Sequence, residues 1–142
     1  MEDKVKEVMV KHVITCSPET TLQNAVKLMK EKNLTCLIVI ENKIPIGIVT
    51  ERDIMFKAVA NNLDSSKVLI KKIMTSPIKS INPEDKIYYA NSIMLKEGIK
   101  RLPVVKDNKL IGIIAQKDLL KYFTKLKKTL ALDKFGERIK SA

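Results

Sequence analysis

Apolar residues along the chain alternate between two textures, and the whole alternation occurs twice. In the first copy, Leu22, Ala25, Val26 and Met29 fall on one face of a helix. They follow Thr20-x-x-Gln23, which has the form of a capping box, so a helix is expected from about 21 to 32. Cys36 to Ile40 and Ile44 to Val49 are apolar runs on either side of Glu41-Asn42-Lys43 and predict two strands joined by a turn. Before them, Val5 to Met9 reads as a short helical turn and Val13-Ile14-Thr15 as an extended segment. After them, Thr50 caps a helix that continues to about Ala60.

Residues 61–67 are polar and turn-rich and predict a linker. The order then repeats. Ile78 to Ile81 is extended, Asn82-Pro83 is expected to open a helix as cap and first residue, and Gly98 ends it. Leu102 to Val105 and Leu110 to Ile114 form a strand pair around Asp107-Asn108, and a last helix starts near Gln116. Laid on itself at an offset of 65 residues, the chain matches without gaps. Met9 falls on Met74, Pro18-Glu19 on Pro83-Glu84, Met29 on Met94, Ile46-Gly47-Ile48 on Ile111-Gly112-Ile113, and Asp53 on Asp118.

Each copy therefore reads as a β-α-β-β-α unit of an α/β (α+β) fold. The first spans 5–60, the second 68–125, and a basic helix or tail covers 126–142. Two or three short strands cannot cover both faces of their own sheet, so the units are expected to bury each other as a pseudo-twofold pair.

Composition narrows the chemistry. The chain has 142 residues, is 45% hydrophobic and has no Trp, so its core must be aliphatic. The N-terminus is charged and no apolar run is long enough to span a bilayer, which predicts a soluble cytoplasmic protein with no membrane partner. Cys16 and Cys36, with His12 the single histidine, make neither a disulfide framework nor a metal set. Without a Ser/His/Asp set, a Walker loop or a Rossmann glycine fingerprint, catalysis is not expected. Lys and Ile richness with few Gln resembles a thermophile's composition, although the several Asn residues weigh against it. The net charge of +11 predicts attraction to polyanions, nucleotides and nucleic acids included. From Lys117 onward there are eight Lys or Arg against three Asp or Glu, with Leu119, Leu120, Phe123, Leu126 and Leu130 at helical spacing. This segment suits a helix packed on its own unit or on a partner, or else a basic arm.

The doubled Gly47 to Asp53 and Gly112 to Asp118 segments, with Met74-Thr75, Ile99-x-Arg101-Leu102-Pro103-Val104-Val105 and Leu110-Ile111-Gly112-Ile113-Ile114-x-x-x-Asp118, resemble a tandem cystathionine-β-synthase (CBS) domain pair, or Bateman module, over about residues 5 to 125. The resemblance implies regulation rather than catalysis, and a cleft between the units that takes an adenosine-containing ligand (AMP, ADP, ATP or S-adenosylmethionine) with no required cofactor. It also implies a homodimer and an effector protein of unknown identity, addressed in trans. A nucleic-acid-binding protein using its basic surface, and a purely structural assembly module, are the alternative readings.

A nucleoside makes three demands on such a site. The ribose diol suits a carboxylate, for which Asp53 and Asp118 are candidates. Adenine suits an apolar slot edged by extended backbone, for which Val13, Ile14, Thr15, Ile78, Lys79 and Ser80 are candidates, with Ile38 and Pro103. Phosphates suit a helix start and cations, here Thr50, Arg52, Lys100 and Arg101. Thr50-x-x-Asp53 is equally explained as a capping box, and Lys100 and Arg101 as a solvated strand entrance. Ala115 lacks the capping hydroxyl of Thr50, yet Asp118 persists, so the two copies are expected to differ in affinity or in preferred ligand, and one site can be empty.

Overall fold

The structure is a computed structural model that describes residues 3–141, with side chains through residue 132. A 3₁₀ turn at Val5–Glu7 leads to β1 (Thr15–Cys16), α1 (Leu22–Lys32), β2 (Cys36–Glu41) and β3 (Ile44–Thr50). The helix α2 (Glu51–Asp53) widens into a π-helical turn over Ile54–Val59. The second copy consists of α3 (Ile70–Ile73), α4 (Ile87–Glu97), β4 (Arg101–Lys106), β5 (Lys109–Ala115) and α5 (Gln116–Ser141). The expected pair of units is present, each with a small mixed sheet. In one, β1 runs parallel to β2, and β2 is antiparallel to β3. In the other, β4 and β5 are antiparallel, and Ile81 alone stands where β1 does, bridging Val104 in parallel.

Local chemistry explains the shared boundaries. Asn42-Lys43 and Asp107-Asn108 all have positive φ, the backbone of a two-residue hairpin turn whose twist matches that of the strands. Asn33 and Gly98 end α1 and α4 in the left-handed conformation. Two expected helix starts are displaced. The cap of α1 is Thr21, whose hydroxyl accepts from the Asn24 amide, whereas Thr20 Oγ1 accepts from the Ser17 amide. Asn82-Pro83 does not open α4. Asn82 Oδ1 accepts from the Glu84 amide in a local turn, and the helix begins four residues later after Lys86. In both places a short polar side chain satisfied a turn instead of a helix end.

The cores are completed by exchange. Val5 is fully buried, but in the second unit's core, with Ile81, Ile87, Leu102, Val104, Ile114 and Leu119. Its counterpart Ile70, together with Ile73, is buried in the first unit's core, with Leu22, Met29, Leu37, Val39 and Val49. Backbone bonds repeat the swap with the same offset. The Val5 amide donates to the Asp85 carbonyl and the Ile70 amide to that of Thr20, each at 2.8 Å. Val10 bridges Ile113 on β5, and Thr75 bridges Ile48 on β3. Burying one such aliphatic side chain contributes about 1.5–3 kcal/mol. The exposed pairs of Glu84 with Lys4 and Lys6, and of Glu19 with Lys71, add little. Of the apolar stripe expected in α5, Leu119, Phe123 and Leu126 face the protein while Leu120 and Leu130 are exposed. Phe123 packs against the Tyr88 ring of α4, with centroids 5.5 Å apart. The part of the predicted basic tail beyond residue 132 lies outside the described side chains.

Close approach of the exchanged segments requires glycine at two places. A Cβ on Gly47 would stand 2.8 Å from Met74 Sδ and 3.0 Å from the Thr75 carbonyl oxygen. One on Gly112 would stand 2.7 Å from Met9 Sδ and 3.0 Å from the Val10 carbonyl oxygen. The thioether can move, but the bridged backbone cannot. Gly112→Ala is therefore expected to destabilise the fold by about 1–3 kcal/mol, measured by urea unfolding. An unchanged midpoint would show that the exchanged segment gives way freely.

Candidate functional site

The exchange lays two straps across the pair. Residues 10–15 run from Val10, paired with Ile113 on β5, to Thr15, paired with Ile38 on β2. Residues 75–81 run from Thr75, paired with Ile48 on β3, to Ile81, paired with Val104 on β4. The extended segments singled out for an adenine slot are the middles of these straps. Val13, Ile14, Thr15 and Ile78 are half-buried, and Lys79 and Ser80 are exposed. Ile38 is buried on β2 at the end of one strap. Buried Pro103 on β4 accepts, through its carbonyl, from the Ile81 amide at the end of the other.

At the corner between β3 and α2, Asp53 is only 6% exposed and fully engaged. Its Oδ2 accepts from the Thr50 amide at 2.9 Å and the Thr50 hydroxyl at 3.1 Å, while its own amide donates to Thr50 Oγ1, so the capping box forms. Its Oδ1 accepts from the Thr75 hydroxyl at 2.9 Å and lies 2.8 Å from Lys57 Nζ. Lys57 in turn donates to the Ile73 carbonyl and to Thr75 Oγ1. Burial pushes the Asp53 carboxyl up. The Lys57 ammonium, the Thr50 amide and the Thr75 hydroxyl outweigh it, and the net result lies below the ordinary carboxylate range.

The corner between β5 and α5 is simpler. Asp118 is half-buried, and its Oδ2 accepts from the Ala115 amide at 2.8 Å. The first amides of α2 and α5 donate to the Thr35 and Lys100 carbonyls, at 3.2 and 2.8 Å, so each strand entrance closes onto a helix start. Thr35 Oγ1 is buried there without a hydrogen-bond partner among the described residues.

The residues singled out for phosphate separate. Thr50 is part of the Asp53 knot. Arg52 stacks its guanidinium on the Phe56 ring of its own helix, 4.9 Å from the centroid. The Lys100 side chain is exposed. Arg101 is half-buried at the entrance of β4, near enough for its charge to act on the Cys36 thiol of the other unit. Burial nevertheless pushes both thiols up, that of Cys16 to about 11. Lys57 and Thr75 were not among the sequence candidates. Lys57 carried a signal, since it stands four residues after Asp53 on one helical face. Thr75 belongs to the Met74-Thr75 pair of the resemblance, but nothing in the sequence placed its hydroxyl beside Asp53, because only the exchange brings it to the corner.

A family model for the CBS domain matches this chain twice, over residues 5–59 and 70–125. The chain belongs to the CBS-domain family. The CBS pair is 37% identical over 139 residues to an uncharacterized protein of Methanopyrus kandleri, covering 95% of this chain and 71% of that one. It is 36% identical to a CBS domain-containing protein of Bacillus subtilis, covering 81% of each. Among solved structures it is similar to the CBS domain pair of protein MJ0100 in complex with 5′-methylthioadenosine and S-adenosyl-L-methionine. That match has a TM-score of 0.80 and 27% identity, and covers 88% of this chain and 98% of the other. No helix among the described residues of the CBS pair is long and apolar enough to cross a membrane.

The Asp53 knot gives the CBS pair a pH signature. The folded carboxyl holds its proton less readily than the unfolded one, at about 3.9, so in acid the unfolded chain binds more protons. The stability the knot contributes is present in full above about pH 4 and is lost as pH falls through the folded value. In urea unfolding between about pH 3 and 7, Asp53→Asn is expected to be less stable at neutral pH and to lose less on acidification. Parallel pH profiles for the two proteins would refute this.

Proposed function

We propose that this CBS pair is a regulatory module that binds an adenosine-containing ligand, AMP, ADP, ATP or S-adenosylmethionine, in the clefts crossed by its two straps. The observation that carries the reading is a corner built twice. In each unit a carboxylate stands where a strand turns into a helix, beside a strap of extended backbone that passes from that strand to the other unit. A carboxylate can accept from both ribose hydroxyls, and a half-buried extended segment offers apolar surface and backbone groups to a purine. The nucleoside ligands bound by the similar pair of MJ0100 support the same class. Arg101 and Lys100, at the entrance of β4, are the cations best placed to favour a phosphate or another charged substituent.

Ligand binding would act through the straps. Each is held at one end by one unit and at the other end by the second, so a ligand lodged against a strap favours one arrangement of the two units. The effect on a partner cannot exceed the ligand's preference for that arrangement. Assembly as a homodimer that signals in trans to an effector protein belongs to this proposal.

A thermal-shift screen of AMP, ADP, ATP, S-adenosylmethionine and NAD against the wild type, Asp53→Asn and Asp118→Asn tests it. At least one compound is expected to raise the melting temperature with concentration, by an amount equivalent to about 2.7 kcal/mol at a hundredfold excess over Kd, and to lose that effect in an aspartate variant. The reading fails if no compound shifts the wild type more than it shifts at least one of the two variants. Retention by nucleic acid that falls steeply with salt and ignores the aspartates would point to the basic surface instead.

A further inference from the structure

The two corners are related by the repeat, but their carboxylates are in opposite states. An ionised carboxylate offers about four acceptor positions, two on each oxygen. Around Asp53 all four have donors. The Thr50 amide and hydroxyl sit on one oxygen, and the Thr75 hydroxyl and Lys57 ammonium on the other. Three of these four donors are side-chain groups, and each is missing from the second copy. Ala115 stands in place of Thr50, Val10 in place of Thr75, and Tyr122 in place of Lys57. Tyr122 has a hydroxyl, but it donates to Asp3 Oδ2 at 2.7 Å and thereby ties the N-terminal segment to α5. Asp118 keeps only the backbone donor, the Ala115 amide, and its second oxygen has no partner among the described residues.

We infer that Asp118 marks the one open ribose site in the chain, and that Lys57 and Thr75 are the specificity-determining residues that close the corresponding site at Asp53. The inference rests on the nucleoside reading above and says which corner takes the ligand. At Asp118 a ribose can donate to a carboxylate oxygen that nothing else uses. At Asp53 the same diol has to displace a short ion pair and a hydroxyl, and leave the ammonium to find another partner. It also has to loosen Thr75, whose backbone is bridged to Ile48 and whose segment completes the first core. The closing donors come from two different elements, the helix after β3 and the exchanged segment, so closure at Asp53 also fastens that segment to the first unit. At the open corner no side chain among the described residues ties Asp118 to the exchanged segment, which is held to α5 through Asp3 and Tyr122 instead. A ligand there adds a link between β5, α5 and the strap 10–15, whose described backbone tie to β5 is the Val10 bridge.

Isothermal titration calorimetry of the full chain with S-adenosylmethionine, and separately with AMP, tests this. The wild type is expected to bind one ligand per chain, Asp118→Ala to lose at least tenfold in affinity, and the double variant Lys57→Met/Thr75→Val to bind two. Grafting the three donors onto the open corner, Val10→Thr with Ala115→Thr and Tyr122→Lys, is expected to abolish binding while circular dichroism reports an unchanged fold. Two equal sites in the wild type, or full affinity in Asp118→Ala, would overturn the inference and leave the nucleoside reading standing. No heat from the wild type or any variant, together with no melting shift, would end that reading. A carboxyl titration followed by NMR tests the closure without any ligand. The Asp53 carboxyl is expected to titrate higher in Lys57→Met than in the wild type, and an unchanged titration would overturn the closure.

Discussion

Each unit of this pair lacks one wall of its core, and the leading segment of the other copy supplies it. Val5 fills the second unit, and Ile70 with Ile73 the first. Neither sheet is large enough to bury an aliphatic face alone, so the exchanged residues bind the halves together. Two glycines make the approach possible. At Gly47 and Gly112 a methyl group would meet the backbone of the incoming segment, so the glycine of each strand is set by the other copy's chain. The straps follow from this arrangement, since a segment anchored in one unit has to cross back to begin its own.

The two strand-to-helix corners take their surroundings from the exchange, and their chemistry depends on what it delivers. One segment brings Thr75 to the first corner, where it joins Lys57 and Thr50 around Asp53. The other brings Val10, whose side chain has nothing to donate, to the second corner. The repeated order of elements therefore carries an unequal pair of carboxylates, one buried and saturated, the other half-buried with an oxygen that has no partner among the described residues. On the nucleoside reading proposed above, such a difference would separate a structural joint from a place where a ligand acts.

Much of the fold was legible because its determinants are local or repeated. The helical spacing of Leu22, Ala25 and Met29, the two-residue turns at Asn42-Lys43 and Asp107-Asn108, and the stop at Gly98 depend only on neighbours in the chain. The offset of 65 residues exposed the pairing of two units before any contact was known. The misplaced helix starts at Thr20 and Asn82 show the limit of local reading. A hydroxyl or amide can cap a turn as readily as a helix, and the choice falls to whichever start buries Leu22 or Ile87 correctly.

By itself the sequence determined the doubled unit, the aliphatic cores, the presence of an acid at each strand-to-helix corner and the imbalance between Thr50 and Ala115. Only the tertiary structure decided which core receives Val5, why Gly47 and Gly112 have to be glycines, and that Asp53 is saturated by Lys57 and Thr75 while Asp118 is not. The physical reason is range. Capping, turns and periodicity act over three or four residues. A carboxylate's freedom to bind depends on every donor within about 3 Å, and one of those that saturate Asp53 comes from 22 residues away through a segment that folds onto the other unit.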